Sequence, residues 1–390
     1  MSVEVVSLGC RLNLSESESL RALLAGGEDL VVVNSCAVTA EAVRQTRQAI
    51  RRARHARPSA RLLVTGCAAE VERETLAAMP EVDGLVANAA KLDPRAWNMP
   101  QAARVAPSRH TRAFIAVQNG CDHACTFCVI PQGRGASRSL TVPQVLETVA
   151  EHLDLGAREV VLTGVDLTSW GGDLPGEPRL GALVAAILDA FPALARLRLS
   201  SLDGVEIDPL LLDLIAQESR VMPHLHLSLQ SGDDLILKRM KRRHSRADAI
   251  ALVDGLRARR ADLAVGADII AGFPTESEAA HGANLSIIAE LGVVHGHVFP
   301  YSPRPGTPAA RMPQVDSPMI RARAAELRAA VAREREAWFA AHIGQSLEVL
   351  AERDGTGHAP DFARVALPPG TASGEIVTLT PTRIVEGLLA

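Results

Sequence analysis

The sequence predicts an α/β protein in three parts: a Rossmann-like parallel α/β domain, a partial (β/α)6 barrel of the TIM type, and a small C-terminal β module. Three observations predict it. β-Branched runs alternate with helical stretches as far as about residue 311, the pattern of parallel sheets wound by right-handed crossovers. The first three runs each lead into a cysteine, at Cys10, Cys36 and Cys67, spaced by 26 and 31 residues, close to one βα unit. Beyond Gly344 short runs are broken by Gly and Pro, which reads as antiparallel strands.

In chain order, strands are expected at Val3–Leu8, Leu30–Val33 and Leu62–Thr65, in a domain spanning 1–92. Sites in such sheets form beyond the carboxyl ends of the strands, where all three cysteines fall. Residues 93–112 carry Pro94, Pro100 and Pro107 with little periodicity and read as a linker. The barrel domain, 113–343, has strand-like runs at Phe114–Gln118, Glu159–Thr163, Leu197–Ser200, His224–Gln230, Ala264–Ile270 and Val293–Tyr301. One long helix, Ser317–Ile343, closes it. The module, 344–390, has strands at Leu347–Ala351, Ala363–Leu367 and Glu375–Leu379.

Composition bounds the function. Apolar residues are 47% and charged residues 22% of 390, a globular composition with ample core for two or three domains. The net charge of −4 excludes a chain coated in basic residues, though not a local basic patch. With 7 Phe, 3 Trp and 1 Tyr, binding of nucleic acid mainly by stacking on rings is disfavoured. Six cysteines are too few for a disulfide-stapled secreted scaffold. No leader and no run of about 18 apolar residues is visible, so the expectation is a cytoplasmic, reducing compartment and no membrane.

Cys121, Cys125 and Cys128 form C-x3-C-x2-C directly after a predicted barrel strand. Thiolates at this spacing suit an iron–sulfur cluster with one iron left open, and soft sulfur also suits zinc, for which His123 lies inside the loop as a fourth ligand. A trio of merely packed cysteines is the third reading. The fourth barrel strand alternates: Leu225, Leu227 and Leu229 take one face, expected to meet the helices, and His224, His226, Ser228 and Gln230 take the other, expected to line the barrel interior.

Gly120-Cys121-Asp122-His123-Ala124-Cys125-Thr126-Phe127-Cys128 resembles the radical S-adenosylmethionine signature, with Phe127 as its aromatic. Over nearly the whole chain the sequence also resembles the methylthiotransferases of that superfamily. The matching motifs are Gly9-Cys10-Arg11-Leu12-Asn13, Asn34-Ser35-Cys36-Ala37-Val38-Thr39, Thr65-Gly66-Cys67, Leu162-Thr163-Gly164-Val165, Ser228-Leu229-Gln230-Ser231-Gly232, the segment from Asp268 to Glu276, and Tyr301-Ser302-Pro303-Arg304-Pro305-Gly306-Thr307.

The resemblance implies a radical S-adenosylmethionine core and two [4Fe–4S] clusters. Cys121, Cys125 and Cys128 would hold the catalytic one, which binds S-adenosylmethionine, and Cys10, Cys36 and Cys67 the sulfur-donating one. It implies cofactor contacts at Phe127, Gly164, Ser228, Gln230, Asp268, Gly272 and Glu276, with Gly272 permitting close backbone approach. It further implies tRNA as partner, at the anticodon loop, and an electron donor such as flavodoxin or ferredoxin.

Three branches of that family differ in substrate: isopentenyladenosine in tRNA, threonylcarbamoyladenosine in tRNA, and an aspartate of a ribosomal protein. Arg11-Leu12 and Arg134-Gly135-Ala136-Ser137-Arg138-Ser139 resemble the threonylcarbamoyl branch, where the other two read Gln-Met and Pro-Lys after the first cysteine. The expected activity is therefore methylthiolation at C2 of threonylcarbamoyladenosine, with the isopentenyl substrate as alternative. A non-catalytic iron–sulfur electron carrier and a zinc-stabilised RNA-binding protein are the readings from other classes.

Two basic stretches are candidate RNA contacts: Arg44, Arg47 and Arg51, within seven arginines and no acid between Ala42 and Ala69, and Lys241, Arg242 and Arg243. The tail resembles a short TRAM-like β module through Glu352-Arg353-Asp354-Gly355-Thr356-Gly357-His358. Three arginines against six acids in 345–390 leave it two roles, an RNA grip or a cap on the barrel.

Overall fold

The computed structural model describes residues 3–26, 29–99 and 111–390. Val3–Ser7, Leu30–Ser35, Arg61–Gly66 and Gly84–Leu85 form a parallel sheet in chain order. Leu30–Ser35 is buried at every residue, as a central strand covered on both faces must be. Helix Ala40–Ala56 starts at Thr39, whose side chain accepts from the Ala42 amide, and it buries Val43, Thr46, Ile50 and Ala53 at helical spacing.

The predicted linker is structured at both ends, while its residues 100–110 lie outside the described ones. Pro94–Trp97 forms a 3-10 turn whose Trp97 packs with Val5, Leu20 and Val32 of the first domain. At the other end, Arg112 is already the first residue of the first barrel strand, Arg112–Ala116. Its alkyl stem and charge hid it from a hydrophobicity reading.

Six parallel strands follow, Arg112–Ala116, Glu159–Thr163, Arg196–Leu199, His224–Gln230, Ala264–Ala271 and Val293–Pro300. They pair as two three-stranded sheets, joined by single bridges Leu197 to Val221 and Leu202 to Leu227. Leu225, Leu227 and Leu229 pack with Val253 and Leu256 of the helix outside the fourth strand. His226 turns inward, where its Nε2 lies 3.0 Å from Asp268 Oδ1. Helix Ser317–His342 packs along the sixth strand and buries Ala324, Leu327, Ala330 and Val331.

The module has six strands rather than three. Thr356–His358, Ile384–Val385 and Leu388–Leu389 are added to Leu347–Ala351, Arg364–Ala366 and Ile376–Leu379. The added strands are two or three residues long, too short for periodicity to register. The module seals the end of the barrel where the strands begin. Arg196 donates to the carbonyls of His358 and Glu348, and Arg112 pairs with Glu352 at 2.9 Å.

Phe362, held at φ +76°, is the plug. Its ring stacks on His358 at 4.4 Å, meets His224 at 5.2 Å and His295 at 5.6 Å, and faces the guanidinium carbons of Arg198, Arg112 and Arg11 at 4.7, 5.1 and 5.6 Å. Phe362→Ala should weaken this docking by about 3 kcal/mol, the low end for a Phe truncation because the ring is not fully buried. Limited proteolysis within 344–390 should accelerate accordingly; unchanged protection would show the contact to be incidental.

A second joint is His342, whose Nδ1 faces the Trp338 carbonyl at 2.8 Å and whose Nε2 faces Asp361 at 2.6 Å. Burial pushes its pKa down, but the Asp361 bond outweighs this and the net shift is upward. With the folded pKa raised, the pair stabilises fully below the ordinary value of about 6.5 and fades as pH rises through the folded value. Melting temperature should fall on raising pH past that point in the wild type, and the fall should be absent in His342→Gln.

Candidate functional site

The first thiol group forms because three neighbouring parallel strands end at one edge. Cys10 caps the helix Arg11–Leu23, Cys36 follows Leu30–Ser35, and Cys67 opens the short helix after Arg61–Gly66. Gly9, at φ +92°, makes the approach possible: a Cβ there would lie 2.7 Å from Cys36 Sγ. Cys10 is exposed while Cys36 and Cys67 are buried, so the group is open on one side. Burial pushes the Cys36 thiol up to about 11, with Cys10 and Cys67 adding to the rise. Mutually opposed buried thiols are poor thiolates alone and good ones once a metal is coordinated. The donor set therefore fits an iron–sulfur cluster.

The second group is the loop after the first barrel strand. Gly120, at φ +78°, lies so close to the Ala136 carbonyl that any Cβ would clash with it, and the Cys121 amide donates to the Gly135 carbonyl at 3.1 Å. Gly120→Ala should therefore displace Cys121 and sharply reduce iron bound after anaerobic reconstitution; full iron content would overturn this. Gln118 holds the loop to the next strand end. Its Oε1 accepts from the Val165 and Asp166 amides at 3.0 and 2.9 Å, and its Nε2 donates to the Gly120 carbonyl and Ser137 Oγ, each at 2.9 Å. Burial pushes Cys121 up to about 12 and Cys128 to about 11. Arg242 Nη1 donates to Cys125 Sγ at 3.6 Å, positive charge where a thiolate cluster would need it.

His123 is engaged by acids that follow the second and third barrel strands. Its Nε2 sits 2.6 Å from Asp166 and 3.6 Å from Glu206, and the Asp166 bond, followed by Glu206, pushes its pKa up to about 10. Asp166 and Glu206 thus hold the His123 ring close to the Cys121 thiol.

The two groups face one another. Helix Ile130–Arg134, next after the loop, packs on the Cys67 helix, and a Cβ at Gly133 would lie 3.2 Å from Cys67 Cβ. Beneath this seam lies a buried ionic network. Lys91 Nζ donates to Glu16 Oε2 at 2.5 Å, Arg134 Nη1 to Glu16 Oε1 at 2.9 Å and to Asn119 Oδ1 at 2.8 Å, and Arg134 Nη2 to Asn13 Oδ1 at 2.5 Å. Burial would raise the Glu16 pKa, but the two cations hold it down. Glu16, Lys91 and Gln118 carry no motif signal, and Arg134 enters the sequence reading only through the segment 134–139. An acid on an otherwise buried helix face, against a distant lysine and arginine, was the available clue.

The other expected site residues divide. Gly164 abuts Gln118, with a Cβ there 2.9 Å from Oε1. The Ser228 carbonyl accepts from Arg242 at 2.9 Å, and Gln230 ends its strand at φ +69°. Asp268 holds His226 and His297 at 3.0 and 3.1 Å; burial would raise its pKa, but these bonds keep it well below the usual carboxylate range.

The other three have partners within the fold. Gly272 is needed by helix Ser317–His342, since a Cβ there would lie 2.6 Å from Ile320 Cγ1. Glu276 has both oxygens engaged, by the Gly272 amide and Arg323 on one side and Asn284 on the other. Phe127 packs edge-on against Phe273 at 6.3 Å, in a cluster with Ile236, Met240 and Tyr301.

The basic stretches are largely neutralised. Arg44 pairs with Glu41, Arg47 with Glu72 and Arg51 with Glu81, acids that flank the stretch or fold back onto it. Arg243 pairs with Asp203 and Glu206. Arg242 is a correction: its side chain is 7% exposed, bonded to Asp203 and Cys125, and so belongs to the cluster loop instead of an RNA surface. Lys241 alone of the six is exposed without a carboxylate partner among the described residues.

Residues 115–282 match the model of the Radical SAM superfamily, and residues 2–87 that of the Uncharacterized protein family UPF0004. A six-stranded part-barrel with a three-cysteine loop at the end of its first strand, under that match, defines a radical S-adenosylmethionine enzyme. The chain is 43% identical, over 99% of its length and 96% of the relative's, to a threonylcarbamoyladenosine tRNA methylthiotransferase MtaB of Rickettsia prowazekii. It is 33% identical, over 96% and 93%, to a tRNA-2-methylthio-N(6)-dimethylallyladenosine synthase of Erythrobacter litoralis. The chain belongs to the tRNA methylthiotransferase family. It is thus a sulfur-group-transferring enzyme that uses S-adenosylmethionine and [4Fe–4S] chemistry.

Among solved structures, the radical S-adenosylmethionine methyltransferase TsrM from Kitasatospora setae shares the fold at 16% identity, with TM-score 0.54 over 77% of this chain and 68% of that one. No helix among the described residues is long and apolar enough to cross a membrane.

Proposed function

We propose that this enzyme adds a methylthio group to C2 of N6-threonylcarbamoyladenosine next to the anticodon of tRNA. Cys121, Cys125 and Cys128 hold the [4Fe–4S] cluster that binds S-adenosylmethionine, and Cys10, Cys36 and Cys67 hold a second cluster that carries the sulfur. The observation that carries this reading is the packing of the two thiol groups against one another through Gly133 and Cys67, with all six cysteines used. When bound, the cofactor supplies the radical that removes a hydrogen atom from the substrate carbon. The protein's part is to hold thiolates beside cations, Arg242 at one group and Arg134 with Lys91 near the other, and to close the space between them. A low-potential donor such as flavodoxin or ferredoxin supplies the electron in a cytoplasmic setting.

The substrate branch is favoured by Arg11-Leu12 after the first cysteine and by the 43% identity to a relative of that name. The test is anaerobic reaction of the reconstituted enzyme with tRNA bearing either modification, read by nucleoside mass spectrometry. The methylthio-threonylcarbamoyl nucleoside is expected. Methylthiolation of the isopentenyl nucleoside instead would move the enzyme to the other branch.

A further inference from the structure

We propose that Arg11 is the specificity residue of this enzyme, receiving the carboxylate of the threonylcarbamoyl group. This rests on the substrate reading above. Arg11 is the first residue of its helix, next to Cys10, and its side chain runs into the polar interior of the barrel. Four charged groups surround it there, Arg112 and Arg198 as like charges, Glu159 and Asp268 as opposite ones.

Neither acid bonds it. Glu159 accepts from Arg198 at 2.8 and 3.3 Å, and His226 and His297 share Oδ1 of Asp268. Arg112 has its own partner in Glu352. Among the described residues no carboxylate or carbonyl bonds Arg11, and its guanidinium faces the Phe362 ring at 5.6 Å.

Arg11 is half-buried, and a cation in that setting with no bonded anion gains from a ligand that brings one. Its guanidinium is charged at neutral pH, as arginine always is. A guanidinium presents a planar fork that matches a carboxylate in two parallel bonds. Threonylcarbamoyladenosine carries a carboxylate on its N6 substituent and isopentenyladenosine carries only hydrocarbon. The same residue beside the sulfur-bearing cluster would therefore attract one base and reject the other, because the wrong base leaves the cation unpaired.

The test uses the full-length enzyme with both clusters reconstituted anaerobically, and anisotropy of labelled anticodon stem–loops. Three probes are compared: threonylcarbamoyladenosine, its threonine methyl ester, and plain adenosine at the modified position. The wild type should bind the acid about 10- to 100-fold tighter than either other probe, the range of a charge-assisted hydrogen bond. Arg11→Gln should lose that preference while its binding of the plain stem–loop and its iron content stay unchanged, and Arg11→Lys should recover part of it.

Equal wild-type binding of acid and ester would overturn the proposal without recourse to any variant. So would an Arg11→Gln enzyme that keeps the preference, or one that weakens all three probes alike. Wild-type methylthiolation of threonylcarbamoyl tRNA with no acid preference sinks only the Arg11 assignment. Methylthiolation of isopentenyl tRNA alone sinks the substrate reading with it.

Discussion

Cys121→Ala, Cys125→Ala or Cys128→Ala should each abolish formation of 5′-deoxyadenosine from S-adenosylmethionine. Cys10→Ala, Cys36→Ala or Cys67→Ala should leave that cleavage largely intact and abolish methylthio transfer. The division follows from the geometry: the first three thiols share one loop tied by Gln118 to the barrel, and the others lie on three strand ends of a separate sheet. Product analysis by liquid chromatography, with iron counted in each variant, checks it. Loss of cleavage in both sets would mean that the two groups form one centre, and loss in neither would remove the radical reading. Uncoupling also sets the size of the effect, since a missing ligand removes a cluster outright and not merely a contact.

Glu16→Gln should be the most destabilising change outside the cysteines. Glu16 is buried among Lys91, Arg134 and Asn119, two cations that have no other carboxylate within ion-pair distance among the described residues. Removing the anion strands both, and breaking a buried pair of this kind costs about 3–5 kcal/mol. Because Arg134 and Asn119 belong to the barrel domain and Glu16 to the first domain, the loss should appear as undocking of the two. Urea unfolding should split into two transitions, with the first at lower denaturant than in the wild type. A single transition at the wild-type midpoint would show that the apolar seam alone holds the domains.

Much of this arrangement was legible in the sequence. The strand ends bearing Cys10, Cys36 and Cys67 and the alternation of Leu225, Leu227 and Leu229 could be placed from period and spacing, because both faces of each element have fixed surroundings. What could not be read depends on pairing at long range. The arginines of helix Ala40–Ala56 look like an RNA-binding stripe until Glu72 and Glu81 fold against them. Arg242 looks like surface charge until the loop brings Cys125 beside it. Gly272 matches a cofactor motif, yet its missing side chain makes room for Ile320 from a helix more than forty residues on.

The floor of the barrel carries a consequence for synthesis. Arg11 and Arg112 wait on one side of it, and Phe362 arrives from the far end of the chain to close it. On the ribosome the sixth strand, Val293–Pro300, is complete about sixty residues before that plug is made. At roughly 5–20 residues per second, this leaves about 3–12 seconds in which all six strands are present and the barrel is open below. During that interval the barrel interior is reachable from both ends, and the arrival of Phe362 closes one of them.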